Sequence, residues 1–201
     1  MAAITAEMVK QLRDKTGAGM MECKAALAEA QGNLEDAITL LRKRGLAQAA
    51  KRAGRATAQG TIGSYLHLGG KIGVLVEVNC ESDFVARTED FQNLVRELGM
   101  HIAAASPKWV RREEVPAEEI EKEKAIYRAQ MENSGKPANV IDKIIEGKLG
   151  SFYAQFVLLD QPSIRDAALT ISQLVAQTSA KTGENITIGR FARFRVGELS
   201  E

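Results

Sequence analysis

Two apolar runs, TIGSYLHL (61–68) and KIGVLVEV (71–78), flank the pair Gly69-Gly70. Apolar runs on either side of two glycines predict a β-hairpin, because glycine alone takes the left-handed turn conformations without a steric cost. Upstream of this point the apolar residues follow a helical period instead. Near the other end, NITIGRFARFRV (185–196) reads as a strand able to join the hairpin. The expected architecture is therefore α+β: a small antiparallel sheet with helices against it.

The stretch from Ile4 to Arg44 reads as three short helices. The first carries Ile4, Met8, Val9 and Leu12 on one face and stops near Thr16-Gly17-Ala18-Gly19. The second spans about Met20 to Ala30, with Cys23, Ala26, Leu27 and Ala30 inward and Gly32 suited to its C′ position. Asn33 is a good N-cap for the third, Asp36 sits at the capping-box spacing, and Leu34, Ile38 and Leu41 form a stripe before Gly45. A miniature three-helix bundle follows. The expected division is an N-terminal domain with a basic linker over 1–54 and an α+β core over 55–201.

Composition excludes several classes. With 201 residues and 45% apolar content the chain can bury a real core. Its 27 basic and 26 acidic residues nearly cancel, so no whole-chain field steers it to nucleic acid or membrane. No acidic residue stands between Asp36 and Glu77, while Arg42, Lys43, Arg44, Lys51, Arg52 and Arg55 crowd one stretch. No aromatic residue is interleaved with these charges, so a solvated linker helix, or a face for an acidic protein partner, is favoured over RNA binding. No membrane span and no signal or transit segment is read, which makes the cytoplasm the expected compartment. Cys23 and Cys80 lie far apart and are read as reduced, buried thiols.

Beyond the hairpin, Phe91, Leu94, Val95, Leu98 and Ile102 mark an amphipathic helix with Thr88 as N-cap. The charged stretch after Arg112 predicts a solvated helix, and the sequence through Asn133 to Pro137 a proline-marked turn. A second short helix is expected at about Ala138 to Glu146, ending near Gly147. Another spans roughly Thr170 to Lys181 and stops at Gly183.

The reagents of an enzyme are missing. There is no phosphate-binding loop, dinucleotide fingerprint, zinc-protease pair or nucleophile elbow, and TGAG (16–19) lacks the Lys and hydroxyl that would make it a phosphate loop. His67 reads as lying inside a strand, and His101 as a polar edge residue of its helix with no carboxylate or nucleophile placed to make it a base. That leaves Asp83-Phe84, at the end of the second hairpin strand. On residue chemistry alone, either Phe84 folds into the core while Asp83 makes an Asx-type turn, or the pair faces outward.

Two stretches resemble bacterial-type translation elongation factor Ts: LRDKTGAGMMECKAAL (12–27) and EVNCESDFVA (77–86). The likeness extends through GKPANVIDKIIEGKL, LLDQP and RFRVGE, so it covers essentially the whole chain. It implies a guanine nucleotide exchange factor for elongation factor Tu, with an N-terminal three-helix module of the ubiquitin-associated (UBA-like) type. In that family the segment matching Ser82, Asp83, Phe84 and Val85 enters the partner near its magnesium and phosphates, and Arg13, Met20 and Met21 match docking positions. Adjacent methionines cannot both face inward on one helix, so at least one is expected at the surface. Ser82 stands where the family usually has Thr, and keeps the hydroxyl.

Long members carry two core modules, and this chain has one. The likeness therefore implies a homodimer in a 2:2 complex, one subunit offering Asp83-Phe84 and the other His67, with Tyr65 beside it. No cofactor is implied, since magnesium and nucleotide belong to the partner. The competing readings are a nonenzymatic adaptor built on the three-helix module and an RNA-binding protein using the basic patch.

Overall fold

The structure is a computed structural model that describes residues 4–131 and 137–198. The expected turn through residues 132–136 lies outside the described residues. Eight α-helices and a three-stranded sheet in the order β1-β2-β3 make up the described regular structure, together with short 3-10 turns at Arg112–Glu114 and Leu158–Asp160. The fold is α+β, as expected. Among the described residues no helix is long and apolar enough to cross a membrane.

The chain forms two compact units, each discontinuous in sequence. One takes the chain up to Thr61, Val78–Val95 and Gln173–Thr187; the other takes Ile62–Glu77, Arg96–Ser172 and the chain from Ile188 onward.

In the first unit, α1 (Ala6–Thr16), α2 (Met20–Glu29) and α3 (Leu34–Arg52) surround one small core. Val9, Leu12, Cys23, Ala26, Leu27 and Ala37 are buried in it, with Ile4, Met8, Leu34, Ile38 and Leu41 packed around them. Gly17 ends α1 in the left-handed region, at φ 69°, and its N–H donates to Arg13 O at 2.7 Å. Three local expectations need correcting. The left-handed C′ position after α2 is taken by Gln31, at φ 51°, because the helix ends one residue earlier; Gly32 follows as C″ and donates to Leu27 O at 2.9 Å. Asn33 caps α3 through Oδ1, which accepts from Glu35 and Asp36 N–H, but its own N–H goes to Ala30 O and so leaves no donor for Asp36. The third helix also passes through Gly45 to Arg52, absorbing the linker. There the missing side chain is used: a Cβ on Gly45 would lie 3.3 Å from that of Ala180.

The hairpin consists of β1 (Gln59–Leu66) and β2 (Ile72–Cys80). His67 lies just past the end of β1, its N–H on Ile72 O at 2.9 Å, and Gly69 and Gly70 carry the positive φ angles of the turn, 83° and 67°. β3 (Ile186–Arg195) runs antiparallel beside β2, with Val196 N–H on Lys71 O. Val74, Val76, Val78 and Cys80 of β2 face inward. In the second unit the other face is apolar as well, with Ile62 and Leu66 of β1, Leu75 of β2 and Phe194 of β3 all exposed, along with Leu68 in the turn and Val196 after β3.

After a single turn, α4 (Asp83–Ala86), comes α5 (Glu89–Ala105), with Thr88 Oγ1 accepting from Phe91 N–H at its start. Its second half belongs to the second unit, where Gly99 allows close approach to β1: a Cβ there would lie 3.0 Å from that of Tyr65. His101 is not the edge residue expected, since it is fully buried. Both ring nitrogens are satisfied, Nε2 by Gln161 Oε1 at 2.9 Å and Nδ1 by Ile164 N–H at 3.4 Å, which makes burial tolerable.

The charged stretch forms α6 (Ala117–Met131), a helix with no buried residue. α7 (Ala138–Phe156) does not stop at Gly147 as expected. Ile145, Leu149 and Phe152 form a buried stripe that carries the helix past two glycines. Phe152 joins Val115 and Val157 in a local core with Trp109, Ile120, Tyr153 and Phe156 around it. Finally α8 (Ile171–Thr182) ends at Gly183, φ 78°.

Candidate partner-binding site

The strand β2 delivers Glu81 and Ser82 directly into α4, whose four residues differ sharply in exposure. Phe84 is 78% exposed, while Val85 and Ala86 are buried beneath it. Phe84 therefore does not fold back into the core. Asp83 does not bond to nearby backbone either; its Oδ2 accepts from Arg87 Nη2 at 2.7 Å, one turn further along the surface. An aromatic ring and a carboxylate thus stand side by side at the surface on one rigid turn. Val85, included with them from the sequence, has its side chain inside this protein, where it anchors the turn.

The turn is held from below. Ser82 is the N-cap of α4, its Oγ accepting from Val85 N–H at 3.4 Å. Glu184, on the loop before β3, receives the N–H of Glu81 at 3.1 Å, the N–H of Ser82 at 3.0 Å and the Ser82 hydroxyl at 2.6 Å. The carboxylate of Glu81 in turn accepts from Asn185 N–H at 2.6 Å and from Arg55 Nη1 at 3.4 Å. Below them the Cys80 thiol donates to Ser82 O at 3.1 Å. Burial pushes that thiol's pKa up, and the Glu184 carboxylate adds to the shift, so Cys80 remains protonated and able to donate. On the far side, Thr88 Oγ1 donates to Val85 O and Gln92 Nε2 to Ala86 O. Sequence reasoning missed Glu184, since no local pattern announces a bond to residues a hundred positions earlier.

The second surface in the first unit surrounds the turn between α1 and α2. Arg13 is exposed in the last turn of α1, and Met20 and Met21 are the first two residues of α2. Both methionines are exposed, Met21 by 77%, so neither belongs to the bundle core. The turn is stiffened by Glu22, whose Oε2 accepts from Gly19 N–H at 3.2 Å, and by Thr16, whose Oγ1 accepts from Ala18 N–H.

His67 belongs to the second unit and is exposed at the hairpin turn, its Nδ1 3.0 Å from Tyr65 Oη. Of the basic stretch, four side chains have partners inside the protein. Arg42 donates to Gln173 Oε1 at 2.8 Å, Arg44 pairs with Glu29, Arg52 donates to Ser179 O and Arg55 to Glu81. Much of that charge is therefore spent on the fold.

Known proteins resemble this chain over almost its whole length. A family model described as elongation factor TS matches residues 2–198. The chain is 62% identical over 195 residues to elongation factor Ts of Fervidobacterium nodosum, covering 97% of this chain and 99% of the relative. It is 58% identical over 198 residues to that of Solibacter usitatus, covering 98% and 93%. With the protein of the same name from Thermosipho melanesiensis it shares 57% identity over 195 residues, covering 97% and 100%.

Proposed function

The chain belongs to the elongation factor Ts family, and on that premise we propose that it is a guanine nucleotide exchange factor that binds elongation factor Tu with GDP and promotes GDP release in the cytoplasm. The observation that carries the reading is Phe84, a large aromatic residue left 78% exposed on a turn fastened at both ends. An exposed Phe on a braced turn is suited to insertion into a partner, because burying it there is favourable and little new order is required.

In this reading Phe84 wedges between helices of the GTPase and Asp83 comes beside its magnesium and phosphates. A thousandfold acceleration requires about 4 kcal/mol of preferential binding to the release transition state. Burying one Phe contributes only about 1.5 to 3 kcal/mol. The wedge therefore needs an anchor, and we assign that role to Arg13, Met20 and Met21. Flexible, polarisable methionines suit a docking surface. The three helices around one small core support assignment of the N-terminal module to the UBA-like type. The factor performs no covalent chemistry and takes no cofactor of its own. By reciprocity, guanine nucleotide weakens the complex by the same factor by which the complex weakens nucleotide binding.

The homodimer belongs to the same proposal, each GTPase receiving Asp83-Phe84 from one subunit and His67 from the other. The apolar outer face of the sheet supports it, since contiguous exposed apolar residues mark association surfaces. Release of fluorescent GDP from elongation factor Tu, with and without this protein, tests the function directly. Acceleration is expected; unchanged release would overturn the reading, and salt-sensitive retention of RNA without acceleration would favour the basic patch.

A further inference from the structure

A helix of four residues has no stability of its own, because the first turn fixes several dihedral angles for a single hydrogen bond. The direction in which Phe84 leaves the surface is therefore set by whatever fixes the residues leading into α4. Three hydrogens from Glu81 and Ser82 converge on the Glu184 carboxylate, two amides on Oε2 and the hydroxyl on Oε1. With its hydrogen committed to Glu184, the Ser82 oxygen has lone pairs directed elsewhere, and one of them accepts the Val85 N–H that caps the turn. Glu81 reciprocates by accepting from Asn185 N–H. Residues 81–82 and 184–185 are thereby clasped by two carboxylates.

We propose that Glu184 is a positioning residue for nucleotide exchange: by holding Glu81 and Ser82 it orients α4, and with it the ring of Phe84. The proposal rests on the wedge reading given above. A carboxylate accepts all three hydrogens, two amides on one oxygen and the hydroxyl on the other. A glutamine keeps the two amides on its oxygen but presents its NH2 to the Ser82 oxygen, so the hydroxyl must turn its own hydrogen away and the lone pair that caps Val85 N–H is no longer fixed. At position 82 the need is for a hydroxyl, which threonine also supplies.

The test uses the full chain with Phe84→Ala, Glu184→Gln, Ser82→Ala, Ser82→Thr and the double variant Phe84→Ala/Glu184→Gln. Three quantities are measured: the maximal GDP release rate at saturating factor, the factor concentration giving half that rate, and amide hydrogen exchange at Val85 in the free protein. Glu184→Gln and Ser82→Ala are each expected to lower the maximal rate about tenfold, to leave the half-saturating concentration within about twofold, and to speed exchange of the Val85 amide. Ser82→Thr is expected to behave as the parent. In the Phe84→Ala background, Glu184→Gln is expected to cost nothing more, because the ring it orients is gone.

A folded Glu184→Gln protein with the parental maximal rate overturns the positioning role, as does an undiminished loss in the Phe84→Ala background. If Phe84→Ala itself exchanges normally, the wedge fails and the positioning role with it. If Phe84→Ala is slow and Glu184→Gln normal, only the positioning role is lost. Should Glu184→Gln not fold, the Ser82→Ala and Ser82→Thr pair decides: equal rates overturn the role, and loss with rescue supports it.

Discussion

Phe84 and Val85 are consecutive in one helical turn, yet the first is 78% exposed and the second 8%. Their truncations should separate function from stability. Phe84→Ala is expected to slow catalysed GDP release at least tenfold, about 1.4 kcal/mol of transition-state binding, while changing stability by no more than about 0.5 kcal/mol. Val85→Ala empties buried space and should cost about 2 kcal/mol of stability, read as a lower urea midpoint. Stopped-flow release and urea titration of both variants check the pair.

The outer sheet face predicts its own disruption. Leu66 and Phe194 are exposed, so Leu66→Glu or Phe194→Glu should leave the subunit folded. A carboxylate facing its own copy would have to be desolvated, so light scattering should report half the parental mass. Parental mass in both variants would remove the sheet face from the proposed dimer.

His101 gives a pH dependence with a definite sign. Burial holds its pKa below the ordinary value, against opposing effects of the Gln161 bond and the Glu97 carboxylate. The unfolded chain then binds the proton first as pH falls. The stabilisation is complete above the unfolded value of about 6.5 and is lost toward the lower folded value, at up to about 1.4 kcal/mol per pH unit. Urea midpoints at pH 7.5 and 5.5 should differ less in His101→Gln than in the parent.

Three glycines should answer alanine differently. At Gly147 and Gly150, in the helix α7, an added Cβ meets nothing within 4 Å, so each substitution should stabilise by up to about 1 kcal/mol. Gly60 has φ 150°, and a Cβ there would fall 2.3 Å from Val78 O, so Gly60→Ala should cost more than about 2 kcal/mol. Thermal melts of the three variants test the contrast.

Glycines also explain where sequence reading succeeded and where it failed. The ends of α1 and α8 were legible because Gly17 and Gly183 take positive φ there, and the hairpin because Gly69 and Gly70 do. Gly45, Gly147 and Gly150 lie inside helices, where a glycine costs only about 1 kcal/mol and a stripe such as Ile145, Leu149 and Phe152 outweighs it. Long-range partners were the other blind spot. The burial of His101 depends on Gln161 and Ile164, and the bracing of α4 on Glu184, and neither is encoded near the residue it serves. Asp83 and Phe84 could be singled out in the sequence, but which way the ring faces depends on the burial of Val85 and Ala86.

Each unit is assembled from three separated stretches, and Gln173–Thr187 completes one while the chain from Ile188 completes the other. A ribosome delivers these two stretches after the other stretches of their units. Completion of each unit therefore waits for its late stretch, although the three-helix core inside the first draws only on residues 4–41. Loss of the stretch beyond Ser172 would leave two unfinished bodies instead of one intact domain.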